Sequence, residues 1–149
     1  RLVRRAQENM AIEHYRDLRV YQIAFEAAMR IFELSKGWPK EEQYSLTDQI
    51  RRSSRSVCGN IAEVWRKRRY IPHFISKLTD ADGEAAETQV WLEFAMRCGY
   101  INQEAQTPLN ADYETIIGGL VKMMTEPNKW CGPSTLTVHD QKAGYDEPA

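Results

Sequence analysis

Between Phe74 and Ala95 one row of apolar and small residues, Phe74, Leu78, Ala81, Ala85, Thr88, Leu92 and Ala95, recurs at alternating steps of four and three. A helix brings residues at these spacings onto one face, whereas a strand would scatter them over both sides. The row therefore predicts a helix of some six turns with a continuous seam for its neighbours. Trp91 and Phe94 are expected to widen that seam late. Pro72 suits its first turn, and Gly99 in "RCGY" suits a left-handed cap at its end.

Three further segments repeat the pattern. The first carries two adjacent stripes: Leu18, Tyr21, Phe25, Ala28 and Phe32, beside Val20, Ala24, Ala27, Ile31 and Leu34. Together they predict a helix with a wide apolar face, stopped by Gly37, Trp38 and Pro39. The second opens after "PKEEQYS" and lines Leu46, Ile50, Ser53, Val57, Ile61 and Val64 along one side. Small residues crowd this seam, and Gly59 costs about 1 kcal/mol against alanine inside a helix. Close approach of a neighbouring helix is the expected compensation. The last segment, about residues 110–125, turns Tyr113, Ile116, Ile117, Leu120, Met123 and Met124 inward, with Asn110 or Asp112 as cap.

Four helical segments with short connections predict an all-α, antiparallel up-down four-helix bundle over residues 15–126. Residues 1–14 read as an N-terminal extension, and Met10 as a candidate native start. Residues 127–149 lose the period and read as an irregular tail, in which "STLTV" is only a weak strand signal. At 149 residues one domain is expected.

Composition removes several classes of function. No stretch reaches the roughly 20 apolar residues of a membrane span, so a cytoplasmic protein is expected. Cys58, Cys98 and Cys131 are scattered, without paired or metal-ligand spacing. None of His14, His73 and His139 follows a glutamate by three positions, as a di-iron bundle would need. Asp80 and Asp82, two apart, do not share a helix face. Neither a phosphate loop nor a nucleophile motif is present. No enzyme, cofactor or metal is expected.

The formal net charge is −1, so only local clusters carry an electrostatic argument. The end of the second segment, from Arg51 on, holds Arg51, Arg52, Arg55, Arg66, Lys67, Arg68 and Arg69 against Glu63 alone, and the third holds Asp80, Asp82, Glu84, Glu87 and Glu93. Three readings stand side by side. The blocks are solvated faces worth little; or opposite faces of different subunits set their register; or the arginine-rich block meets phosphate. Trp65 and Tyr70 flank that block and offer stacking surface, or else pack on the bundle end. Asn60 and Glu63 are either a buried polar pair setting helix or subunit register, or boundary residues in contact with water.

Over about residues 12–101 the chain resembles the bacterial four helix bundle protein family. The landmarks are "YRDLRVYQIA", "PKEEQYSLTDQIRRSSRSV", "NIAE" and "ETQVWLEFA" before "GYI". This family includes proteins encoded in intervening sequences of large-subunit ribosomal RNA genes and the accessory variability determinant of diversity-generating retroelements. The resemblance implies a ring-like homopentamer without catalytic activity. For the retroelement branch it implies a basic surface that binds RNA or DNA and a partner reverse transcriptase. By position, Arg51, Arg52, Arg55 and residues 66–69 would furnish that surface, and Asn60 and Glu63 fall on the "NIAE" signature. Val64 stands where the family pattern has glycine, and Cys58 where proline is common. Two functions result: an oligomeric accessory protein binding nucleic acid or a reverse transcriptase, and a self-assembling scaffold whose charges, Glu84 and Glu87 among them, serve only assembly.

Overall fold

The row from Phe74 to Ala95 is the most deeply buried part of the molecule, each member at most 1% exposed. The computed structural model describes residues 12–132. Four helices carry it: α1 (Arg19–Ser35), α2 (Asp48–Arg66), α3 (Ile71–Arg97) and α4 (Gln103–Thr125). Each packs against the next, and α4 returns to α1. Short connections make neighbours antiparallel, so the chain is an up-down four-helix bundle as expected, with no strand among the described residues.

The α2–α3 contact is the most extensive. Leu46, just before α2, and its Ile50, Ser53, Val57, Ile61 and Val64 are all buried, the apolar ones in one core with the alanines of α3. Two hydroxyls enter this seam and are satisfied there. Thr88 Oγ1 donates to Ser53 Oγ at 2.8 Å, and Ser53 donates to the Ile50 carbonyl at 3.3 Å. That pairing removes the penalty of about 1–3 kcal/mol for an unmatched buried polar group.

Helix ends follow local chemistry. Gly99 takes φ +81, and the Tyr100 and Gly99 amides donate to the Ala95 and Met96 carbonyls at 2.9 and 3.0 Å. This is the expected left-handed stop, and glycine meets that backbone without a Cβ clash. Trp38 is buried beside Tyr100 where the α1–α2 connection crosses the same end. A 3-10 turn at Lys40–Glu42 and a π turn at Gln43–Thr47 lead into α2.

Four expectations need correction. α4 begins at Gln103, not near Asn110: the Asn102 side chain caps it, accepting from the Ala105 amide at 2.9 Å. Pro108 lies within that helix on an exposed turn, so its missing donor breaks only a solvent-facing bond. Of the two stripes, only Leu18, Ala24, Ala27, Ala28 and Ile31 are buried, whereas Phe25 is 45% exposed. Phe94 is 54% exposed and does not extend the core. Finally, a Cβ built on Gly59 meets nothing within 4 Å, so no helix of this chain crosses closely there. The close approach is at Gly119 on α4, where a Cβ would come 2.5 Å from Val20 Cγ1 of α1.

After α4 the chain continues in order to Gly132. A 3-10 turn at Pro127–Lys129 precedes Trp130 and Cys131, which pack against the core. "STLTV" and the rest of residues 133–149 lie outside the described residues, as does most of the N-terminal extension.

Candidate nucleic-acid interface

The end of α2 and the start of α3 form one corner of the bundle. Lys67 closes α2, its amide shared between the Glu63 and Val64 carbonyls at 3.0 and 3.1 Å. Tyr70 is extended, with φ −138, and Pro72 sits in the first turn of α3. Cations at the C-terminal end of a helix are favoured by its dipole, which explains locally why Arg66 to Arg69 are tolerated side by side. Lys67 and Arg69 are exposed and Arg66 is half-buried.

Arg68 departs from the expected surface. It is 1% exposed, its Nε donates to the Trp65 carbonyl at 2.6 Å, and its guanidinium carbon lies 3.5 Å from the Trp65 ring centroid. Its own carbonyl accepts from the Gly132 amide at 3.0 Å. A desolvated arginine on an indole face is worth about 2 kcal/mol, so Arg68 holds the corner together and does not present charge to a ligand. Trp65, buried beneath it, is also removed from the stacking candidates.

Arg51, Arg52 and Arg55 do not join this corner. From Arg52 to Arg66 is 14 residues, or about 21 Å along the α2 axis. Arg52 crosses to α3 and pairs with Glu87 at 2.7 Å and Glu84 at 3.5 Å, and the Glu87 hydrogen bond raises its pKa further. Arg51 donates to Ser35 Oγ at 2.8 Å and lies 4.9 Å from the Phe32 ring, with Arg55 at 5.6 Å from the same ring. The seven cations thus divide into an α2–α3 ion pair, an α1–α2 aromatic contact and the corner.

The four acidic and amide candidates all have partners in their own chain. Glu84 and Glu87 are partnered by Arg52. Glu63 pairs with Lys77 of α3, raising the lysine's pKa through that hydrogen bond. Asn60 is half-buried and donates to the Ser56 carbonyl and hydroxyl at 2.9 and 3.1 Å, on its own helix. So Glu63 ties α2 to α3, while Asn60 makes no inter-helix bond.

A second feature had no counterpart in the sequence analysis. Tyr15, Tyr21, Phe25, Met29, Cys58 and Gly59 line an open groove of about 420 Å³ between α1 and α2. Arg55 stands at its border. The available signal was the width of the two α1 stripes together, which exceeds the face that this helix buries. Burial pushes the Cys58 thiol up to about 11. Among the described residues no three metal-ligating side chains gather, and no helix is long and apolar enough to cross a membrane.

The 23S rRNA-intervening sequence protein family matches residues 16–122, spanning all four helices. The chain belongs to that family. A solved structure from Bacteroides thetaiotaomicron, described as a protein of unknown function from the S23 ribosomal protein family, is 33% identical. It aligns with a TM-score of 0.64, over 70% of this chain and 97% of the other. No curated protein matches the chain. The family assignment agrees with the resemblance carried by the "NIAE" and "ETQVWLEFA" landmarks.

Proposed function

We propose that this protein is a non-enzymatic, homo-oligomeric accessory protein of the cytoplasm that binds nucleic acid through the α2–α3 corner. The observation that carries the reading is the concentration of Lys67 and Arg69 on the surface beside Arg66, apart from the acidic run of α3. Asp80 is nine residues into α3, about 13 Å along its axis from Ile71. Glu63, the nearest acid on α2, is already engaged by Lys77. These basic side chains, with Lys67 and Arg69 exposed, give a polyanion a surface to approach. The family takes its description from an intervening sequence of 23S rRNA, which makes RNA the first polyanion to test.

Self-association is supported separately by the α1–α2 groove. Phe25 and Met29 are each nearly half exposed along its wall, an apolar surface suited to another copy of the chain. A ring of five, and a reverse transcriptase as protein partner, are the finer forms of this reading. Light scattering of the wild type against Phe25→Asp tests assembly, with a lower mass expected for the variant.

Nucleic-acid binding is tested by fluorescence anisotropy with mixed-sequence RNA at about 50 mM salt, where phosphate contacts are strong. Lys67→Glu with Arg69→Glu is expected to weaken binding by about tenfold or more and to flatten its salt dependence. Arg52→Glu is expected to leave binding unchanged. Absence of wild-type binding at low salt would falsify the proposal.

A further inference from the structure

The corner carries more than charge. Tyr70 is 56% exposed, and His73, one turn into α3, is exposed beside it. Their ring centroids are 4.7 Å apart at 84°, an edge-to-face pair. Such a pair uses one face of one ring and leaves the remaining faces uncovered by the other. Lys67 and Arg69 adjoin Tyr70 in the same turn, and the Tyr70 side chain makes no capping bond to α3. Trp65, the other aromatic in this stretch of sequence, is buried beneath Arg68 and cannot contribute.

We infer that the Tyr70–His73 pair is a stacking platform and that the ligand of this corner is single-stranded polynucleotide in preference to duplex. The inference rests on the nucleic-acid reading above and adds the form of the ligand to it. The physical reason is access. In a duplex, base faces are stacked on one another and only edges and phosphates are presented. In a single strand the faces are free to lie on an aromatic ring while the adjacent phosphates meet Lys67 and Arg69. Stacking of this kind reads no sequence, since every base has a face. The platform therefore selects unpaired segments such as loops and ends over any particular order of bases.

The test uses the full chain and a labelled mixed-sequence RNA of about 15 nucleotides, free or annealed to its complement. Wild type is expected to bind the single strand more tightly. Tyr70→Ala and His73→Ala are each expected to weaken single-strand binding by about five- to a hundredfold, with duplex binding little changed. Tyr70→Phe, which keeps the ring, is expected to bind as wild type does. Both residues are exposed, so unchanged thermal melting shows that the variants remain folded. If Tyr70→Ala and His73→Ala bind both ligands as wild type does, while Lys67→Glu with Arg69→Glu weakens both, the platform is refuted and the electrostatic reading stands. If wild type binds neither ligand, both are refuted.

Discussion

α2 has two sides, and they contrast. Toward α3, small residues bring the backbones together: Ser53, Ala81, Ala85 and Thr88 are fully buried and their neighbours leave no room. Toward α1, equally small residues, Cys58, Gly59 and Ala62, line an open groove walled by Phe25 and Met29. A run of small side chains permits close approach without ensuring that anything approaches. What closes the first side is a facing row of matching period, whereas α1 sets the exposed Phe25 and Met29 along the groove beside Ala28.

The sharpest way to break this contrast is to remove an apolar side chain from each side. Leu78→Ala in the closed seam is expected to cost about 2–5 kcal/mol in urea unfolding. Phe25→Ala, at a site 45% exposed, is expected to cost less than about 1 kcal/mol in the isolated chain. Equal losses would mean that the groove is part of the core. The glycines give a smaller effect of opposite signs. Gly59→Ala is expected to stabilise by about 1 kcal/mol, since its Cβ meets nothing within 4 Å. Gly119→Ala is expected to destabilise by about 1–3 kcal/mol, because Val20 is β-branched and cannot swing away from a Cβ 2.5 Å distant.

The smallest effect sharpens the wet side. With its thiol pushed up to about 11 from 9.0 by burial, Cys58 stays protonated near pH 8 in the fold. A raised folded pKa means the native state holds the proton more firmly. The associated stability is full below about pH 9 and is lost as pH rises through about 11. In a background of Cys98→Ser and Cys131→Ser, maleimide labelling of Cys58 is expected to be slower in the folded chain than in urea. Equal rates would show that solvent reaches the thiol freely.

The seam of α3 was legible residue by residue because a long strict period leaves only one face that can hold it. The core row of α2 was legible for the same reason. α1 was not, since its buried residues come from both stripes, Leu18 and Ala28 from one and Ala24, Ala27 and Ile31 from the other, and spacing does not say which members are left out. At the corner, the cluster from Arg66 to Arg69 was visible as charge, and Tyr70 as a stacking candidate. That Arg68 folds back over Trp65, while Lys67 and Arg69 stay outside, depends on the path of the turn and on the chain returning at Gly132. His73 carried no signal in sequence, because only the start of α3 brings it edge-on to Tyr70.

The sequence by itself determined that this chain is helical, where most helices begin and end, and which row of α3 faces inward. Those properties are set by contacts within a few residues along one helix. Only the tertiary structure decided which charges pair with one another across the helices. Arg52 finds Glu84 and Glu87, and Glu63 finds Lys77, across helices that spacing along the chain does not relate. An ion pair depends on separation in space, and for these residues that separation exists only after the helices have packed.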